Sequence, residues 1–350
     1  MGIQKKIKKV KLITIFWVFL IFLAIYIISV GVIFCFYPTT ENKIVKKTTQ
    51  YIPYPAAMVG AHFITFAQLA DELSAVKKFY QNQDFSQMNL RVDFSTSDGK
   101  KRVKVKEKEI LEKLIDNTVI ESEAKKRDIN LTPALINEEV DRKLKEYGAG
   151  DHLRNNLEKL YGWNLEDFKN NIVEPDMYRT QLFAKIRSTD PSYVTAKKKI
   201  EEAQSKLANG ESFTDVAKNY SDGQSAKNGG ELGWFNASQM LPEVAVAVFN
   251  LDKEQQSQII ESSIGYHIVR VEDKKTENEV PMVKVSQVFV RTQSFADWLA
   301  KTEKNEKIFV PIWEFRWNNQ TAQLEFRSAE MKNFEKNLFK NSPNDPSMMF

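Results

Sequence analysis

From Leu12 to Tyr37 the chain carries no charged residue. As a helix this run would extend about 39 Å at 1.5 Å per residue. A bilayer's hydrocarbon core is about 30 Å thick, so the run can cross one with some tilt. Five lysines, Lys5, Lys6, Lys8, Lys9 and Lys11, precede it. Only Lys43, Lys46 and Lys47 follow closely, with Glu41 among them. That bias puts a basic segment, 1–11, in the cytoplasm and the main body outside the cell membrane. A cleaved signal peptide is the competing reading, with Ser29-Val30-Gly31 as the cleavage site. The apolar run outlasts the roughly 7–15 residues of a signal's apolar core. An uncleaved single-pass anchor over 12–37, in contact with membrane lipid, is therefore expected. Cys35 does not fit a lipoprotein cysteine, because bulky Phe34 stands before it.

Setting those five lysines aside leaves 45 basic against 46 acidic residues. A nucleic-acid binder would show a basic excess, so no nucleic-acid partner is expected. One cysteine allows neither a disulfide within the chain nor a cysteine zinc site. His62, His152 and His267 are scattered, and no phosphate loop is visible, so no metal and no cofactor are expected.

After the apolar run, residues 38–57, with Pro38, Pro53 and Pro55, read as a linker. Residues 58–187 read as a helical domain. Met58 to Thr65 suggests a strand and turn, with Thr65 capping a helix through Leu69 and Leu73. Between Glu107 and Ile129, apolar Ile110, Leu111, Leu114, Ile115, Val119 and Ile120 share a helical stripe, with Lys and Glu on the other faces. Thr132, Pro133 and Gly148 mark the start and stop of another helix. Asn164 suits the cap of a further one, which Pro175 should kink or interrupt.

The densest signal lies between Gly210 and Val271. It comprises Gly-Glu-Ser-Phe at 210–213, Tyr-Ser-Asp at 220–222, the stretch Ala226 to Phe235, the pair Gln239-Met240, and Gly-Tyr-His-Ile at 265–268. In this order and spacing the motifs resemble a parvulin rotamase, a peptidyl-prolyl isomerase domain, placed at 188–291. The helical region resembles the N-terminal chaperone region of SurA and PrsA foldases. That likeness rests on the Val-Gly-x-x-Ile-Thr start, the Ile110-Leu111-x-x-Leu114-Ile115 helix closing in Glu123-Ala124-Lys125-Lys126, the Thr-Pro helix, and Gly162-Trp163 leading to Phe168. The implied fold class is α+β: a transmembrane helix, a helical chaperone domain, a small antiparallel sheet with surrounding helices, and a short β/α extension over 292–350. By the same resemblance, that extension is expected to return and complete the chaperone lobe. Its residues suggest a helix over Ser294–Thr302, a hairpin turning near Asn318-Asn319, and a last helix through Met331, Phe334 and Leu338. The tail from Asn341 is expected to be disordered.

The parvulins that the chain resembles begin with a central strand carrying Ser-His-Ile-Leu-Val, and none stands ahead of Tyr193, where Met177 to Arg187 reads as helix. A Val-rich alternating run appears later, at Val283–Arg291. With a loop of about ten residues, Asp273 to Met282, it would pair with the strand through His267, making the domain a circular permutation. The bland alternative is an unrelated edge strand.

The resemblance implies peptidyl-prolyl isomerisation of unfolded or proline-containing exported polypeptides. Its prolyl cup would be Leu232, Phe235 and Met240, with Val244 at a position where Phe is common. His267 would be one of two facing histidines and Gln287 would hold the other's place. The family's central Cys or Asp would fall at Gly223, with Asp222 as the nearest polar substitute. Ile264 stands where Ser sometimes occurs. From the residues alone, Leu232, Phe235 and Met240 equally suit a core, and His267 a structural hydrogen bond. A weak or inactive holdase keeping the same shape, and a structural envelope protein, remain the alternatives.

Overall fold

The computed structural model describes residues 12–37, 47–49, 51–83, 93–146 and 154–341. The basic segment 1–11, much of the 38–57 linker, the Gly148 helix stop and the tail beyond Asn341 lie outside them. The chain divides into two compact units. One runs up to Tyr178 and resumes at Thr302; the other is Arg179–Lys301. These limits differ from the 187/188 and 291/292 divisions expected from sequence. The reason is local: the ring of Phe183 meets those of Tyr193 and Phe295, which ties both flanking helices to the second unit.

In the first unit, α1 (Leu12–Phe36) is the apolar helix. A hairpin follows, β1 (Pro55–Val59) and β2 (His62–Thr65), so the end of the presumed linker is already strand. The Thr65 hydroxyl accepts from the Gln68 N–H, and Gln68 returns its carbonyl to the Thr65 N–H, a reciprocal cap that starts α2 (Phe66–Asn82). The central helix α3 (Ser97–Lys125) is capped by Thr96 and begins ten residues before Glu107, where the expected stretch starts. Leu111, Ile115, Val119 and Ile120 on that stripe are fully buried. A smaller core joins α4 (Pro133–Glu146) to Leu157, Phe168 and Val173.

Asn164 caps α5 (Leu165–Phe168) as expected from its position. Pro175, however, does not interrupt the helix. The chain widens into a π turn over Lys169–Val173 and continues as α6 (Glu174–Thr189). A proline lacks the N–H and crowds the carbonyl four residues back; a wider turn just before it absorbs that crowding.

The second unit is built on one antiparallel sheet. Helix α7 (Pro191–Ala208) and α8 (Phe213–Tyr220) precede β3 (Glu231–Phe235) and α9 (Pro242–Phe249). Strands β4 (Ile260–Ser262), β5 (Gly265–Glu277) and β6 (Val280–Arg291) follow, and α10 (Phe295–Glu303) closes the segment. The sheet order is β3-β6-β5-β4. The run at 283–291 is therefore central, hydrogen-bonded on both sides, and not an edge. The ten-residue loop expected between β5 and β6 is absent. Pairing persists to Glu277↔Val280, and the turn is only Asn278-Glu279, both with left-handed φ of 51° and 66°, a geometry that matches strand twist and suits Asn.

Alternation along the two long strands makes two cores. Tyr266, Ile268, Val288 and Val290 face α7 and α8. Val269, Val271, Val283 and Val285 face α9. His267 and Gln287 fall on the α9 side by the same period.

The C-terminal segment belongs to the first unit. Strand β7 (Ile308–Phe309) adds to β1. The hairpin β8 (Phe315–Asn318) and β9 (Gln323–Phe326) lies against α3, where the Leu324 N–H donates to Glu112 Oε1 at 2.7 Å. The last helix, α11 (Ala329–Asn341), reaches α3 through Glu335 and Lys108 at 3.0 Å.

Candidate active site

On the α9 side of the sheet lies a hollow of about 210 Å³. Leu232, Phe235, Met240, Leu241, Val244 and Val269 form its apolar wall. His267, Gln287 and Gln239 supply its polar groups, with Val285, Phe289 and Ile264 completing the lining. Each wall residue is positioned by a simple device. The Gly230 carbonyl accepts the Gln287 N–H at 2.9 Å. At φ 87°, an added Cβ on Gly230 would come within 2.5 Å of the Gln287 carbonyl oxygen, so only glycine lets β3 close on β6 there. Asn236 caps the short turn before Met240, and Pro242 starts α9 at the position where a missing N–H costs nothing.

His267 is 4% exposed and lies between two partners. Its Nε2 is 2.8 Å from the Ser262 hydroxyl, and its Nδ1 is 3.4 Å from Gln287 Oε1. The ring stacks on Phe289 with centroids 4.8 Å apart. With Nδ1–H donating to the Gln287 carbonyl, Nε2 accepts from the Ser262 hydroxyl, whose single proton is then turned from the Gly265 carbonyl 3.1 Å away. Burial pushes the imidazole pKa below its ordinary value; the Gln287 hydrogen bond and the Glu243 carboxylate oppose this without reversing it. The neutral imidazole is thus the favoured form.

Six of the seven residues singled out in the sequence, His267, Gln287, Leu232, Phe235, Met240 and Val244, line one hollow. Asp222 is not brought there. Its carboxylate is held by Lys199 Nζ at 2.6 Å and by the Arg291 N–H at 3.0 Å, while its own N–H donates to the Phe289 carbonyl. Its side chain braces the end of β6 instead. Gly223 does adjoin the polar groups: a Cβ there would lie 3.8 Å from Gln287 Nε2. Sequence reasoning missed Ser262 and Phe289. The first was accessible in principle, because a tight turn at Ser263-Ile264 places 262 diagonal to 267 on one face. The second required the β5–β6 register, in which His267 faces Phe289.

The chemistry open to such a hollow is conformational. A peptide bond resists rotation by about 18–20 kcal/mol through conjugation. An apolar cup can hold a prolyl ring, while Gln287 and His267 offer a dry polar wall to the carbonyl as it twists out of plane. No bond need be made or broken.

This arrangement defines a prolyl isomerase domain of the parvulin type, and comparison with known proteins agrees. Residues 182–273 match the PPIC-type PPIASE domain, and residues 3–182, half of the chain, match the SurA-like N-terminal domain. Foldase protein PrsA of Geobacillus kaustophilus is 29% identical over 234 residues, covering 63% of this chain and 80% of that one. Foldase protein PrsA 2 of Bacillus cereus is 31% identical over 210 residues, 56% of this chain and 67% of its own. Chaperone SurA of Chromohalobacter salexigens is 45% identical over 74 residues, 21% of this chain and 17% of its own. The chain belongs to the SurA-like foldases that carry a parvulin-type peptidyl-prolyl cis-trans isomerase domain.

Proposed function

We propose that the protein is a membrane-anchored foldase whose body lies outside the membrane and isomerises prolyl bonds in exported polypeptides. The observation that carries this reading is the hollow itself, where Leu232, Phe235, Met240 and Val244 stand opposite His267 and Gln287. Anchoring is supported by α1, an apolar helix of 25 residues whose rings and branched chains from Phe16 to Phe22 are largely exposed. Water would not tolerate such a surface, and a bilayer would. The five lysines before it favour a cytoplasmic N-terminus. The first unit, by its SurA-like match, would hold unfolded segments of the same clients.

We also read the isomerase domain as circularly permuted. The strand that completes its sheet, β6, follows β5 through a two-residue turn, and the matched stretch ends at 273, ahead of that strand. A second reading, a binding module with little catalysis, is favoured by Gln287 and Gly223 in positions where the family resemblance implies His and Cys or Asp. A protease-coupled assay with an Ala-X-Pro peptide separates the two. Uncatalysed exchange takes tens to hundreds of seconds, and the full chain is expected to shorten it. Met240→Ala removes a side chain from the cup and should lower kcat/KM about tenfold, the equivalent of about 1.4 kcal/mol of apolar contact. A rate equal to background eliminates the enzyme reading and leaves suppression of aggregation as the activity to measure.

A further inference from the structure

The apolar helix is not a free tether. Its second half is built into the first unit. Val30 and Phe34 are buried. The Phe34 ring stacks on Phe66 at 4.9 Å and lies 5.8 Å from Tyr54. The Tyr54 hydroxyl donates to the Ile27 carbonyl at 2.8 Å. Gly31 makes room for this ring: a Cβ there would lie 3.2 Å from it. Further along, the Trp313 N–H donates to the Cys35 carbonyl at 2.8 Å, and its ring meets Phe36. At the lower level, Tyr26 and Thr48 share a hydrogen bond at 2.8 Å.

These contacts limit how far the unit can stand from a bilayer. From Leu12 to Tyr26, the part of α1 before the first Tyr54 contact, the helix is about 15 residues, or about 22 Å. The hydrocarbon core needs about 30 Å. The missing 8 Å, about five residues, must come from the stretch that Tyr54 grips. If Leu12 marks the inner boundary, the outer one falls near Val32. Trp313, bonded to the helix above that level at Cys35, then lies in the headgroup layer, and the Tyr54 and Thr48 hydroxyls, bonded below it, reach toward the hydrocarbon. Trp313 is 63% exposed, and Tyr51, tied to the helix through Thr48, whose carbonyl accepts the Tyr51 N–H at 3.2 Å, is 77% exposed. Aromatic rings with a polar edge favour that layer.

We propose that the first unit rests directly on the outer leaflet, with Tyr51 and Trp313 in the phospholipid headgroup layer and Tyr54 locking α1 to the unit. This rests on the reading of α1 as a membrane span. The seat also bears on processing: Ser29-Val30-Gly31 is helical, and Val30 is buried, so the segment is not presented as an extended cleavage site.

The test uses the full chain in phosphatidylcholine–phosphatidylglycerol vesicles, with Cys35→Ser and a nitroxide on Phe19→Cys or Tyr51→Cys. Access to oxygen and to a water-soluble nickel chelate reports depth. The Phe19 label should read hydrocarbon; if it reads water, the span itself is wrong. The Tyr51 label should shift clearly toward oxygen access. A Tyr51 label reading as water beside a Phe19 label in hydrocarbon overturns the seat alone. Tyr54→Ala should release the Tyr51 label into water without moving the Phe19 label; no change would remove Tyr54 as the lock. The Tyr51 reading in the chain with Tyr54 intact stands whether or not Tyr54→Ala folds.

Discussion

At the scale of single residues, the hollow joins a buried imidazole to an amide that cannot titrate. The folded-state pKa of His267 is lowered, first by burial. An unfolded chain therefore binds a proton that the folded domain resists, and its pKa lies near 6.5. Stability is then complete above about 6.5 and falls as the pH drops through the folded value. NMR titration of the His267 ring should show an acid-side midpoint below that of a free histidine, with thermal stability declining over the same range. An upward-shifted midpoint would contradict the burial argument. Gly223 offers the complementary test. Its φ of −73° and ψ of 154° suit any residue, and a Cβ would make only ordinary contacts, with the Ser221 hydroxyl, Gln287 and Phe289. Gly223→Asp would set a carboxylate beside the Gln287 amide. We expect it to raise kcat/KM severalfold in the peptide assay with folding unchanged. An unaltered rate would place position 223 outside the working surface.

At the scale of elements, α3 carries the most telling departure from its pattern. Glu107 is 1% exposed and neither carboxylate oxygen has a hydrogen-bond partner. Burial pushes its pKa up to about 8, helped by Glu314 and opposed by Lys104 and Lys77. A raised pKa means the folded lobe holds a proton that the unfolded chain has released. Stability should fall as pH rises from the ordinary carboxylate value to about 8, by about 1.4 kcal/mol per pH unit at most, and level off above. Glu107→Gln should flatten that slope and raise the melting temperature most near pH 8. A slope that survives the substitution would assign it to another group. The same helix shows what local sequence conveys. The stripe from Ile110 to Ile120 was legible because one face of α3 is apolar at helical spacing. Glu107 and Lys108 read as a solvent face and are buried instead. Residues some two hundred positions later cover them, as Glu335 does Lys108, and no local period reports that. The ten residues from Ser97 to Lys106 were illegible for a related reason: they hold Gly99 and a string of charges, with too few apolar positions to form a stripe. In the isomerase domain, by contrast, the resemblance to parvulin motifs gathered six site residues, and the two-residue period gave only the strands that carry His267 and Gln287. Asp222 escaped because its direction depends on register with Arg291, which motif matching does not supply.

At the scale of the whole molecule, the first unit is made from two distant stretches and the isomerase from one continuous stretch between them. Ile312, Phe315 and Phe326 from the later stretch are fully buried, and β7 extends the sheet of β1. Burying side chains of this size contributes about 1.5–3 kcal/mol each, and a domain's net stability is only about 5–15 kcal/mol. Loss of three such anchors, together with the Leu324–Glu112 hydrogen bond, is enough to unfold the first unit. Deleting residues from 302 onward should therefore abolish one calorimetric transition and leave the other. The peptide assay should keep its rate, because every residue lining the hollow lies between Leu232 and Phe289. A first unit that melts unchanged after the deletion would show that the later stretch decorates the lobe without completing it. Loss of the isomerase transition would show that the inserted stretch depends on its host to fold.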